Sequence, residues 1–146
     1  MILWRISEHG SLDGGGGLIV AGRWHSKGRR IVYTADSSAL AMLEVLVHLE
    51  RDTVPESFRL LKIEVPDELA ATRWTGARLP PSDETGKWGD AWLEKGATPL
   101  AAVPSIVAPG GFNWLINPSH PDARRVKRLA SSRQPWDRRL FGVSST

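Results

Sequence analysis

The chain of 146 residues is 41% hydrophobic and 24% charged, with a formal net charge of +3, a balance that excludes a disordered polyelectrolyte and suits one ordinary domain, residues 1–146. No apolar run approaches the roughly 18–20 residues that span a bilayer, and the opening MILWRISEHG has no basic stretch leading into an apolar one, so neither a membrane span nor a secretion signal is expected. The absence of cysteine excludes disulfides, zinc–thiolate sites and a thiol nucleophile, and suits a reducing cytoplasm.

In chain order, residues 12–17 (LDGGGG) read as a loop, because four glycines lose too much backbone entropy to sit inside an element. Residues 29–35 (RRIVYTA) alternate, with Ile31, Tyr33 and Ala35 on one face, which predicts a strand. Asp36, Ser37 and Ser38 then offer helix N-caps before ALAMLEVLVHLE, a helix of about three turns. Residues 59–65 (RLLKIEV) alternate again, with Leu61, Ile63 and Val65 inward, and Pro66 stops the strand. Residues 73–89, rich in Pro, Gly and Trp, read as a long ordered loop, a feature uncommon in compact domains unless functional. A short helix is expected over residues 90–95, ended by Gly96.

Residues 100–107 and 112–116 predict two strands joined at Pro109-Gly110-Gly111. Pro104 then belongs at a sheet edge or irregularity, since it cannot donate to a ladder. Asn117-Pro118 and His120-Pro121 form a stiff turn into an expected basic helix over residues 122–129, and residues 138–143 suggest a last short strand. Between residues 122 and 139 seven basic residues face two acidic ones. Such an end can meet phosphates or an acidic partner, or can be a solvated face.

The helix after Tyr33 carries the most chemical information. At 100° per residue its Leu, Val and Met side chains cover nearly the whole circumference, which predicts a buried helix. Glu44 sits in its middle, with His48 one turn later on the same side. An unpaired buried carboxylate costs several kcal/mol. Two readings therefore stand: a structural ion pair with an arginine such as Arg23, or a carboxylate facing a substrate pocket. His48 reads as a core or rim histidine. Tyr33, the sole tyrosine, lies near the helix start, where its ring can stack on a planar ligand or simply fill the core. Arg23, in GRWHSKG, can fork onto a phosphate pair or lie on the surface.

Other templates fail. GGGG is not followed by Lys-Ser/Thr, and no dinucleotide fingerprint or Gly-x-Ser-x-Gly elbow occurs. Four scattered histidines without paired acidic spacing give no expectation of a metal. Composition and spacing stop at a pocket assembled from Arg23, Tyr33 and Glu44, with no substrate named.

Seven segments in order resemble the RES-domain family: LWRI (3–6), GRWHSKG (22–28), VYTA (32–35), LAMLEVLVH (40–48), GDAWL (89–93), VPSI (103–106) and LINPSHP (115–121). The Arg, Glu and Ser of the family name match Arg23, Glu44 and Ser105. The resemblance implies an α+β fold similar to ADP-ribosyltransferases, built on a split, mainly antiparallel sheet. It implies a growth-arresting toxin of a type II toxin–antitoxin system, with NAD+ as substrate, an Xre-type antitoxin as partner, and DNA contacted through that antitoxin rather than directly. In this reading Glu44 stabilises positive charge on the ribose or holds a ribose hydroxyl, Arg23 grips the pyrophosphate, and Tyr33 stacks on nicotinamide. Ser105 positions the ribose or supports Glu44, and Asn117 is a secondary binding residue. At Gly14 to Gly17 the sequence departs from the expected bulkier loop, and the glycines read as close approach to a ligand or as a disordered loop. The acceptor is expected to be water or phosphate, or alternatively a cellular protein that becomes mono-ADP-ribosylated. A third reading, a nucleic-acid-binding module using the basic tail, leaves a buried Glu44 without explanation.

Overall fold

The structure is a computed structural model that describes residues 1–76 and 78–142. Leu61, Ile63 and Val65 are fully buried, as their alternation predicts, the first two on β3 (Ser57–Glu64) and the third just past its end. That strand belongs to a seven-stranded sheet of order β4-β5-β6-β2-β1-β3-β7. Its other members are β1 (Ile2–Ile6), β2 (Val32–Ala35), β4 (Ala71–Arg73), β5 (Leu100–Pro104), β6 (Phe112–Ile116) and β7 (Lys127–Pro135). Every adjacent pair is antiparallel except β4 with β5. This is the α+β architecture with a split, mainly antiparallel sheet that the family resemblance implies.

The split lies between β1 and β2, which share one residue pair, Trp4 with Ala35. Cross-strand partners point to the same face. On one face Leu3 sits opposite Ile63, and Val32, Ile116 and Leu100 form a continuous row. These residues make one apolar cluster, completed by Val65, Leu69 and Val126. The opposite face carries two clusters. One joins Ala101, Val103 and Leu115 to Trp24, Ile31 and Trp92 of α3 (Ser82–Lys95); the other sets Leu40 and Ala41 of α2 (Ser38–Leu46) on Ala35, with Trp4 and Ile6 beside them.

The strand ends behave as expected at two places. Ser37 caps α2, its side chain accepting from the Leu40 N–H. Pro104 lies beyond the last β4 partner of β5, where the sheet is open on that side.

Several expectations are corrected. Helix α3 begins at Ser82, so most of the expected 73–89 loop is β4 and helix. Its Gly86 and Gly89 are buried, and a Cβ on Gly89 would collide with the Trp24 carbonyl. Gly89 serves close packing rather than helix breaking. The basic helix expected over 122–129 is a 3-10 turn (Pro121–Arg125) followed by the edge strand β7, which forms eight registered pairs with β3. Long-range pairing overrides a local sequence that has no strong period. Residues 138–141 form a 3-10 turn (Arg138–Phe141) instead of a strand, and Val143 falls outside the described residues. The glycine-rich segment contains a single helical turn, α1 (Gly16–Ile19). Gly17 is buried in it, with no room for a Cβ beside the Arg29 carbonyl. Helix α2 is not buried all round: Leu43 is 42% and Val47 55% exposed, because only one flank of the helix meets the sheet. β1 is a strand that the alternation rule did not single out. Among the described residues, no helix is long and apolar enough to cross a membrane.

Leu61 is wholly enclosed at the centre of this packing. Leu61→Ala is expected to lower unfolding stability by about 2–5 kcal/mol, the range for cavity-forming substitutions. A denaturant titration checks it, and an unchanged midpoint would contradict the packing described.

Candidate functional site

Beyond the Trp4–Ala35 pair, β1 and β2 part, and α2 closes the opening on one side. The result is a cavity of about 400 Å³, lined by Trp4 and Arg5 of β1, Gly22 and Arg23 of the following loop, Tyr33 of β2, Glu44 and His48 from the α2 segment, and Asn113 of β6. Its size is that of small-molecule sites.

Glu44 is fixed through one oxygen. The Ser105 hydroxyl and the Asn113 amide each donate to Glu44 Oε1 at 2.8 Å. Ser105 Oγ also accepts from the backbone N–H groups of Val107 (3.2 Å) and Ala108 (3.1 Å). With both lone pairs engaged, its proton goes to the carboxylate. Ser105 is itself buried and lies behind Glu44 rather than in the cavity lining. Among the described residues Glu44 Oε2 receives no hydrogen bond, and the buried Asn113 Oδ1 has no partner.

Of the two readings for Glu44, the ion pair with Arg23 is not made. Arg23 Nη2 donates to the Pro80 carbonyl at 3.0 Å, and its buried Nε has no partner. A second guanidinium enters from β1. Arg5 Nη1 donates to the Tyr33 carbonyl at 2.8 Å, and its Nε is likewise buried and unpartnered. Burial lowers the Arg5 pKa from the ordinary arginine value, but an arginine stays charged in proteins.

Tyr33 is held by its hydroxyl. His25 Nε2 lies 2.9 Å from the Val20 carbonyl, which can only accept, so Nε2 carries the hydrogen. His25 Nδ1 then accepts from the Tyr33 hydroxyl at 2.7 Å and from the Gly22 N–H at 3.2 Å. The Trp24 N–H donates to the same hydroxyl at 3.1 Å. The phenol oxygen is thus committed to the protein, and the ring is left to the cavity. Burial is the main cause that pushes the Tyr33 pKa up, partly offset by the Trp24 hydrogen bond.

Arg23, Tyr33 and Glu44 are therefore brought together as the sequence reading expects, with Ser105 supporting Glu44. Asn117 lies elsewhere: it is buried, donates to the Leu93 carbonyl at 3.3 Å and accepts from the Ser119 N–H at 3.1 Å. It shapes the turn after β6 and does not line the cavity. His48 is exposed at the rim. The sequence reading missed Arg5 and Asn113. A lone arginine within the apolar LWRI strand was the available signal for Arg5; Asn113, in FNWLI, had none apart from tertiary context. Among the described residues, no group of three or more His, Cys, Asp or Glu could hold a metal ion. The arrangement offers cations for an anionic ligand, an aromatic ring for a planar one, and a carboxylate for a developing positive charge.

A family model described as the RES domain matches residues 2–138. The protein "Toxin Res" of Pseudomonas putida is 44% identical over 146 residues, covering 97% of this chain and all of that protein. The "Prs ADP-ribosylating toxin" of Sphingobium sp. is 38% identical over 153 residues, covering 94% and 95% of the two chains. Among solved structures, a chain of the M. tuberculosis MbcT–MbcA toxin–antitoxin complex matches with a TM-score of 0.76 at 19% identity, over 97% of this chain and 86% of that one. That last likeness is one of fold.

The enclosed phenol yields a clean spectroscopic test, because Tyr33 is the only tyrosine. Its absorbance should not titrate near pH 10, the ordinary tyrosine value. A raised folded-state pKa means the unfolded chain binds fewer protons above that point. The stability linked to Tyr33 is thus fully present below about pH 10 and declines as pH rises beyond it. Normal titration of the folded protein would show that the hydroxyl is not enclosed as described.

Proposed function

The chain belongs to the RES domain family, and from that premise we propose that it is the toxin of a toxin–antitoxin pair, consuming NAD+ by cleaving the bond between nicotinamide and ribose. The observation that carries the reading is Glu44, held by Ser105 and Asn113 through one oxygen in a cavity that also contains two guanidinium groups. The names of its relatives, "Toxin Res" and "Prs ADP-ribosylating toxin", support the same class.

In this proposal Arg23, with Arg5, holds the pyrophosphate, and the Tyr33 ring stacks on nicotinamide. The bond between the pyridinium nitrogen and ribose C1′ breaks with its electron pair passing to nitrogen, which releases neutral nicotinamide. Positive charge accumulates on the ribose in the transition state, and the Glu44 carboxylate opposes it. Water or phosphate then bonds to C1′ through oxygen, a proton being released when water attacks. Ser105 and Asn113 act through Glu44 by fixing its rotamer, so the negative charge is in place before the reaction begins. Such preorganised groups are each worth about 10²–10³ in rate.

Mono-ADP-ribosylation of a protein is the second reading, supported by the name of the Sphingobium relative and by a cavity whose rim carries the exposed His48 and Ile106. The partner is an antitoxin, proposed to be of the Xre type and to act by covering this cavity in the cytoplasm. Direct nucleic-acid binding is not part of the proposal. Within the basic stretch Arg125 pairs with Glu68, Arg133 with Glu8 and Arg139 with Asp137.

Purified protein is expected to release nicotinamide from NAD+, and Glu44→Gln to lower kcat by about 10²–10³-fold without loss of fold. Undiminished turnover would remove Glu44 from the mechanism. Comparing buffers with and without phosphate identifies a small acceptor. Labelled NAD+ added to a cell lysate should label no protein band if water or phosphate is the acceptor, and a discrete band would establish the second reading instead.

A further inference from the structure

The Arg23 segment is gripped from the side away from the cavity by α3, and the GDAWL motif has a role there that the NAD+ chemistry does not use. Thr85 is wholly buried, and its hydroxyl lies 2.6 Å from the Arg23 carbonyl and 3.0 Å from the Ser82 carbonyl. One turn on, Gly89 faces the Trp24 carbonyl so closely that no Cβ fits between. Asp90 takes the next residues: its carboxylate accepts from the Ser26 N–H at 2.8 Å and from the Ser26 hydroxyl at 2.5 Å. At the start of the helix, the Pro80 carbonyl receives Arg23 Nη2. Three of the four residues from Arg23 to Ser26, namely Arg23, Trp24 and Ser26, are thus located by α3 and the residues that lead into it.

We propose that α3 is a positioning clamp for Arg23, with Thr85 its central positioning residue, which sets the affinity for the pyrophosphate of NAD+. The proposal rests on the functional reading above. An isolated helical threonine usually bonds a carbonyl of its own preceding turn. Here the hydroxyl reaches, at the shorter of its two distances, the backbone of the residue whose guanidinium enters the cavity. Opposite the clamp, Tyr33 and His25 hold Gly22 and Trp24. Arg23 therefore has little freedom to withdraw, and losing the Thr85 bond loosens one side only.

The test is Thr85→Val, which keeps the shape and removes the hydroxyl, beside Thr85→Ser, which keeps the hydroxyl. Thr85→Val is expected to raise KM for NAD+ several-fold with kcat changed much less, and Thr85→Ser to restore KM. In an Arg23→Ala background Thr85→Val should add nothing further to KM, whereas a merely structural defect would act in both backgrounds. Amide exchange gives a readout independent of turnover: the Trp24 and Ser26 N–H groups should exchange faster in Thr85→Val, while the β1–β3 ladder stays protected. If Thr85→Val does not fold, Thr85→Ala enters the same cycle. An unchanged KM with unchanged exchange at Trp24 would overturn the clamp. If the wild type leaves NAD+ intact, the functional reading falls, and exchange at Trp24 and Ser26 still decides the positioning.

Discussion

β1 and β2 share one residue pair, while each is fully registered with its outer neighbour, β3 and β6 respectively. A continuous sheet would give the Tyr33 carbonyl a backbone N–H. At the split it has none, and a buried backbone acceptor without a partner is costly. Arg5 supplies the missing donor from the adjoining strand. The same break that opens the cavity therefore leaves an acceptor for a side-chain donor, and Arg5, which fills that place, serves the sheet and the cavity lining together.

The cavity sorts its polar groups into those committed to the protein and those left open. The hydroxyls of Ser105 and Tyr33 are fully engaged, by Glu44 and two backbone amides in one case and by His25 and Trp24 in the other. Neither is free to act as a nucleophile. Among the described residues, Asn113 Oδ1 and the Nε atoms of Arg5 and Arg23 are buried without partners. Buried polar atoms are nearly always satisfied, so these three are exceptions, and all belong to residues that line the cavity. Glu44 stands between the two groups, with Oε1 held and Oε2 unbonded. A carboxylate oriented in advance spends no reorganisation when charge develops beside it.

The same division extends into the scaffold. The apolar cluster built on Leu3, Leu61, Ile63 and Ile116 contains no cavity-lining residue and anchors the strands. The opposite face divides between α2 and α3, and the cavity opens beside α2, with no residue of α3 in its lining. Gly89 and Thr85 keep α3 close to the Arg23 segment, so helix packing and site geometry are set by the same contacts.

By itself the sequence determined the family, through seven ordered segments, and with it the α+β class and the association of Arg23, Tyr33, Glu44 and Ser105. It also determined the elements with a strong period or a local cap: the alternation ending in Leu61 and Ile63, and the Ser37 cap of α2. These depend on neighbours within a few residues, and periodicity reports such neighbours well. Tertiary structure decided the rest. Asn113 meets Glu44 because β6 brings it across a separation of 69 residues. β7 is a strand because the edge of β3 offers eight registered partners to a sequence without a marked period of its own. α3 runs through Gly89 because the Trp24 backbone packs against it where a side chain would otherwise stand. In each case the deciding contact is made by atoms far away along the chain, and local propensity carries no record of them.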